Sequence, residues 1–270
     1  MRSRRPPRLS TFLVLALVGA GVVLPASPAQ AASAYQVSAK VDRASIDYGG
    51  SLRISGRVTK GPVKHRSVTV YWTRAAQRDS WHKIGRVALS SKGAFAKRYK
   101  PRSGGDIRFR VVKSKVGRHA AGRAVTSTSA VYQWQSLWKH WDNGAGVTPG
   151  ANGATASRGS ATVKGTTYAG ALRVNDTSAA SFSTQGCTAL RGRVGLTDPS
   201  PAAQGALTFG GTSEIAYLLV MHGHSPVSVG VDLDPSSPLQ ISADIPGGQT
   251  GGTADTMALV APQVRCNAPA

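Results

Sequence analysis

Ile107-Arg108-Phe109-Arg110-Val111 and Val68-Thr69-Val70-Tyr71-Trp72 each set apolar side chains at every second position. A period of two sends alternate side chains to opposite faces of an extended chain, so both stretches read as half-buried strands with one face in a core. Working outward, the same alternation recurs at Val37, Ala39 and Val41 and at Leu52 and Ile54. The runs are separated by Tyr48-Gly49-Gly50, Lys60-Gly61-Pro62, Ser91-Lys92-Gly93 and Arg102-Ser103-Gly104-Gly105, which is turn chemistry rather than helix capping. About seven strands in roughly a hundred residues is the pattern of an immunoglobulin-like sandwich, here expected over residues 32–131.

That module is strongly basic. Residues 32–131 hold 22 Lys plus Arg against 4 Asp, whereas residues 132–270 hold 7 against 8 acidic residues. Lys97, Arg98, Lys100 and Arg102 follow one another, and Arg108 and Arg110 share one side of a strand. A charge excess of this size on one small sandwich draws in polyanions, and these six residues are the candidate polyanion contacts. The chain shows no recognition helix and no interleaved stacking motif, so specific nucleic-acid binding is not expected. Anionic cell-wall polymers, such as teichoic acids or acidic polysaccharides, are the expected partners. A merely solvated basic surface is the alternative.

The compartment follows from the first 31 residues. Arg2, Arg4, Arg5 and Arg8 precede a 14-residue apolar run, Thr11 to Leu24, and the small-residue site Ala29-Gln30-Ala31 follows. This is the layout of a secretory signal peptide, with cleavage expected after Ala31 or, as second choice, Ala34. The Arg4-Arg5 pair invites a twin-arginine reading, but Pro6 and Pro7 stand where that signal prefers apolar residues. No later stretch suits a membrane span, so the expected location is extracellular or at the cell surface. In an oxidising compartment the two cysteines, Cys187 and Cys266, are expected to form one disulfide, two buried thiols being the alternative.

Residues 132–160 divide into two parts. Trp134, Trp138 and Trp141 fall at helical spacing, and the following stretch, rich in Gly, Ala, Ser and Thr, reads as a linker. Trp138 and Trp141 are the candidate carbohydrate contacts, with packing against a neighbouring domain as the other reading. Residues 161–270 show strand patterns at 161–168, 171–174, 189–196, 206–209, 214–221, 227–233, 239–245 and 257–264, which suggests a jelly-roll sandwich. The expected fold is therefore all-β: two β-sandwiches, an Ig-like domain followed by a jelly-roll domain.

Two resemblances sharpen this. The run Tyr48-Gly49-Gly50-Ser51-Leu52-Arg53-Ile54-Ser55-Gly56-Arg57-Val58, with Trp81-His82-Lys83-Ile84-Gly85 and Lys92-Gly93-Ala94-Phe95, resembles the Ig-like repeats of secreted bacterial surface proteins, which implies spacing and adhesion rather than catalysis. Gly186-Cys187-Thr188-Ala189-Leu190-Arg191-Gly192-Arg193-Val194-Gly195-Leu196-Thr197-Asp198, with Val163 to Tyr168, Val229-Gly230-Val231-Asp232-Leu233 and the late Cys266, resembles the NPCBM carbohydrate-binding module, a galactose-binding-like jelly roll. That resemblance implies glycan binding. The closing strand lacks the Trp that many members carry, and no glycosidase domain accompanies it.

Catalytic constellations are missing from the sequence. Glu214 is the only Glu, which leaves a glycosidase without an obvious carboxylate pair. Gly-x-Ser-x-Gly, His-Glu-x-x-His and phosphate-cradling Gly-x-x-x-x-Gly-Lys motifs do not occur. His222-Gly223-His224 offers two imidazoles without a third ligand nearby in sequence. Asp198, Asp232 and Asp234 are candidates for structural calcium, although Asp before a turn commonly caps it. No cofactor and no catalytic metal is expected. The reading is a non-enzymatic binding protein for carbohydrate or cell-wall polymer, the alternative being an adhesion or scaffold protein without a glycan site.

Overall fold

The computed structural model describes residues 33–64, 66–77, 79–141, 147–148, 156–176, 178–211, 216–246 and 255–267. The expected signal peptide, Glu214 and most of the Gly/Ala-rich linker lie outside them.

The chain is all-β. Among the described residues the first nine strands are β1 (Gln36–Val41), β2 (Ser45–Asp47), β3 (Leu52–Thr59), β4 (Ser67–Arg74), β5 (His82–Ala88), β6 (Ala94–Tyr99), β7 (Gly105–Lys113), β8 (Gly122–Val125) and β9 (Ser129–Ser136). A sheet of order β1-β3-β6 faces the run β9-β7-β4-β5. Leu52, Ile54 and Phe95 from the first meet Val68, Val70, Phe109 and Val111 from the second in one buried cluster. These are the alternating positions that the sequence marks, and burying them excludes water from both inner faces.

Ten more strands follow: β10 (Val147–Thr148), β11 (Ser157–Val163), β12 (Thr166–Asn175), β13 (Ala179–Phe182), β14 (Cys187–Leu196), β15 (Gln204–Gly210), β16 (Ala216–Met221), β17 (Val227–Asp232), β18 (Leu239–Asp244) and β19 (Thr256–Cys266). The sheet β10-β13-β18-β15-β16 faces β12, β19, β14 and β17 across a second core that includes Phe182, Leu190, Leu207, Phe209, Ile241 and Leu259, while Ala161 and Val163 of β11 join Ala171, Ala258 and Val260 in a smaller cluster. The stretch read as one strand over 161–168 is in fact a hairpin. Lys164 (φ 51°) and Gly165 (φ 70°) both have positive φ, so they form the two-residue turn between β11 and β12.

The two cores are stitched through β9. Its first residues pair with β2 and β7, and its last, Gln133 to Ser136, pair with Cys266 to Gln263 of β19. A boundary at residue 131 therefore falls inside a continuous strand. β19 runs beside β14 and exchanges its other neighbour from β12 to β9 along its length. Pro262, which has no N–H to donate, sits at the register shift opposite Gly192, where a missing ladder bond costs least. A Cβ on Gly192 would come 2.8 Å from a Leu259 methyl.

Candidate functional site

On β7 the inward positions Ile107, Phe109 and Val111 fill the core, so Arg108 and Arg110 must project from the outer face. Register then fixes their neighbours. Arg110 lies opposite Tyr71 of β4 and Val125 of β8, and Tyr71 lies opposite Lys83 of β5. One row away, Val112 lies between Thr69 and Arg123, and Thr69 pairs with Arg86. Arg108 is opposite Thr73. The result is a sheet face on which cations alternate with aromatic and small side chains.

Arg110 is the centre of that face. Its guanidinium carbon stands 5.2 Å from the Tyr71 ring centroid and 4.5 Å from that of Trp81. Stacking fixes the plane of the guanidinium without using its terminal N–H groups. The Nε atoms of Arg108 and Arg110 are sealed from solvent and meet no hydrogen-bond acceptor. Among the described residues one ion pair forms, Arg265 to Asp47 at 2.6 Å, so no cation of this face is neutralised. On the same side of β7, Asp106 instead accepts the Asn267 Nδ2–H at 3.1 Å. Planar cations held in place without counter-anions suit an oxyanion ligand.

The six basic residues singled out in the sequence do not form one patch. Lys97 and Arg98 lie on β6, in the other sheet of the sandwich, and alternate across it: Lys97 pairs with Ile54 and Arg98 with Arg53. Arg98 is exposed, whereas Lys97 is half-buried on the side of Phe95. Lys100 and Arg102 follow in the turn. Burial raises the pKa of the Tyr99 phenol, outweighing the charges of Arg102 and Arg74, which lower it. Tyr71, Trp81, Lys83, Arg86 and Arg123 were missed by counting linear runs. Tyr71, Lys83 and Arg86 follow the alternation of β4 and β5, whereas Trp81 precedes β5 and Arg123 lies on β8; the five come together only through the strand register.

The tryptophans depart from the helical expectation. Trp134 lies in β9, where the Arg191 guanidinium stacks over it at 4.2 Å, and Trp138 lies in a short 3₁₀ helix, Leu137–His140. Leu137 is fully buried and pins that turn to the second core, which brings Trp138 and Trp141 against Phe182. The centroids of Trp138 and Trp141 are 5.3 Å apart, and Trp141 meets Phe182 at 5.0 Å. Trp138 Nε1 donates to the Gly170 carbonyl at 2.8 Å, and Arg158 covers its ring. Both rings are half-buried and engaged, which fits the packing alternative.

Cys187 and Cys266 are disulfide-bonded, directly opposite each other on β14 and β19 with Cα atoms 3.9 Å apart. His140 donates from Nδ1 to the Ser183 carbonyl at 2.9 Å and turns Nε2 toward Cys266 Sγ at 3.6 Å. These three side chains converge, but with both sulfurs joined only the imidazole retains a donor for a metal.

The calcium candidates are engaged locally. The Asp198 carboxylate accepts the backbone N–H groups of Lys164 (2.5 Å) and Gly165 (2.7 Å), capping the β11–β12 turn. Asp234 accepts from the backbone and hydroxyl of Ser236 and the hydroxyl of Ser237, hydrogen bonds that lower its pKa. Asp232 is exposed at the end of β17. His222 contacts the Asp198 carbonyl at 3.3 Å, and among the described residues neither it nor His224 joins a group of metal-ligating side chains.

No protein-family model matches this chain, and no curated protein matches it. Among solved structures, the M60 catalytic domain with the CBM51-1 and CBM51-2 domains from Clostridium perfringens ZmpB is similar at 11% identity, with a TM-score of 0.40 over 87% of this chain and 31% of that one. This chain thus spans about a third of the length of that protein, and so loose a likeness does not say what either sandwich binds.

Proposed function

We propose that this is a secreted, non-catalytic binding protein whose basic N-terminal sandwich holds an anionic polymer of the cell surface. The observation that carries this reading is Arg110, stacked on Tyr71 and Trp81 beside Arg108 at the centre of a cationic face that has no ion pair among the described residues. In this reading the N-terminal sandwich is Ig-like and the C-terminal one is an NPCBM-like jelly roll that adds contacts to the carbohydrate of the same polymer. Two pairs of facing sheets around separate cores support that division.

Co-sedimentation of the full chain with isolated cell walls at rising ionic strength tests it. Counter-ion release makes retention fall steeply with salt, and Arg110→Gln should weaken it by roughly tenfold, the usual loss of one charge-assisted contact. Salt-independent retention, or retention unchanged in Arg110→Gln, would refute it. A protein-adhesion reading draws on a different observation. Tyr217, Leu219 and Met221, 56%, 48% and 49% exposed, line one side of the edge strand β16, and exposed apolar edges suit protein contacts. Leu219→Lys should abolish cell-surface retention if that reading is right and leave it intact if the basic face is the site. Among the described residues no helix is long and apolar enough to cross a membrane.

A further inference from the structure

One end of the N-terminal sandwich opens into a groove of about 770 Å³. Its cations come from three segments: Lys64 and Arg66 from the connection between β3 and β4, Arg86 from β5, and Lys113 from the last position of β7. The hydroxyl residues Thr69 and Ser114 also line it, and its lining includes neither a carboxylate nor an aromatic ring. Thr69 and Arg86 belong to the stacked-arginine face as well, so the groove continues that surface.

Lys113 sets this groove apart from an ordinary solvated basic patch. It is only 3% exposed, and its ammonium stands 5.1 Å from the Tyr35 ring centroid. Among the described residues it has neither an ion pair nor a hydrogen bond. Burial, followed by the charge of Arg66, lowers its pKa. Its stem is buried while the ammonium reaches the groove, partly shielded from water and without a counter-charge, so an anion seated beside it offsets that cost. Because the cations surround the groove on several sides, a tetrahedral oxyanion can engage more of them than a planar carboxylate can. The absence of a ring among the lining residues disfavours single-stranded nucleic acid, whose bases need stacking partners.

We infer that the groove seats phosphodiester groups of a phosphate-linked glycan or polyol polymer, with Lys113 and Arg86 as direct contacts. The inference rests on the polyanion reading and specifies its ligand. Binding of the full chain to poly(glycerol phosphate), polygalacturonate, single-stranded DNA and neutral dextran, measured at one ionic strength, tests it. Poly(glycerol phosphate) should bind at least tenfold more tightly than the other three. Lys113→Met and the exposed-site variant Arg86→Gln should each weaken that binding about tenfold; the second keeps the test open if the buried substitution disturbs folding. If both variants bind normally while Arg110→Gln is weakened, the groove assignment fails and the polyanion reading stands. If no polyanion binds, both fail. Polygalacturonate binding as tightly would overturn the choice of phosphate, and tighter DNA binding would make the ligand a nucleic acid.

Discussion

Replacing both Cys187 and Cys266 by Ala should destabilise the protein by about 4–5 kcal/mol, most of it through the unfolded chain. The bridge closes a segment with a sequence separation of 79 residues. Loop-closure entropy for a segment of that length is roughly 15 cal/mol/K, or about 4.5 kcal/mol at 25 °C. The native side adds little: both cysteines are fully buried, so the lost sulfurs leave small voids, while the β14–β19 ladder on either side of them remains. For a chain of this size the loss corresponds to a fall in Tm of roughly 10–18 °C. Urea unfolding of the two proteins by circular dichroism measures it, and the m-value should rise in the variant because its unfolded state is no longer cross-linked. A loss below about 1 kcal/mol with an unchanged m-value would refute the reasoning, as would two titratable thiols in the denatured, unreduced wild type.

Trp138→Ala should cost about 2–4 kcal/mol through lost packing on Phe182 and the lost bond to Gly170; a thermal transition that stays in place would return the ring to the list of ligand contacts. Asp198→Ala should cost about 1–2 kcal/mol by uncapping the positive-φ turn at Lys164-Gly165, and addition of calcium should not shift the wild-type Tm if the carboxylate serves only that turn. Lys113→Met should be more stable than wild type near neutrality, because burial and the Arg66 charge lower the ammonium's pKa from its ordinary 10.5 and the native state therefore binds the proton less tightly than the unfolded chain. Wild-type stability then rises as pH climbs through the lowered pKa toward 10.5; the gap between the two proteins should narrow over that alkaline window in urea titrations, and a constant gap would count against it.

For β4 and β7 the sequence by itself determined both the strand and its buried face. Val68 and Val70, like Ile107, Phe109 and Val111, fill the core as their alternation requires, because a period of two is a local property that each strand carries whatever its neighbours. A cysteine count of two, with the expectation of export, likewise sufficed to anticipate the disulfide. Tertiary structure decided which strands meet. Backbone ladders look alike for every strand, so nothing local foretold that β9 would join both cores or that Arg265 would reach Asp47, 218 positions away. The same holds for the tryptophans, whose spacing fitted a helix until the pairing of β9 with β19 held Trp134 in a strand. It holds for the candidate site too: Arg110 acquires Tyr71 and Trp81, and Lys113 its company of cations, only when segments distant in sequence are brought side by side, since charge attraction depends on separation in space.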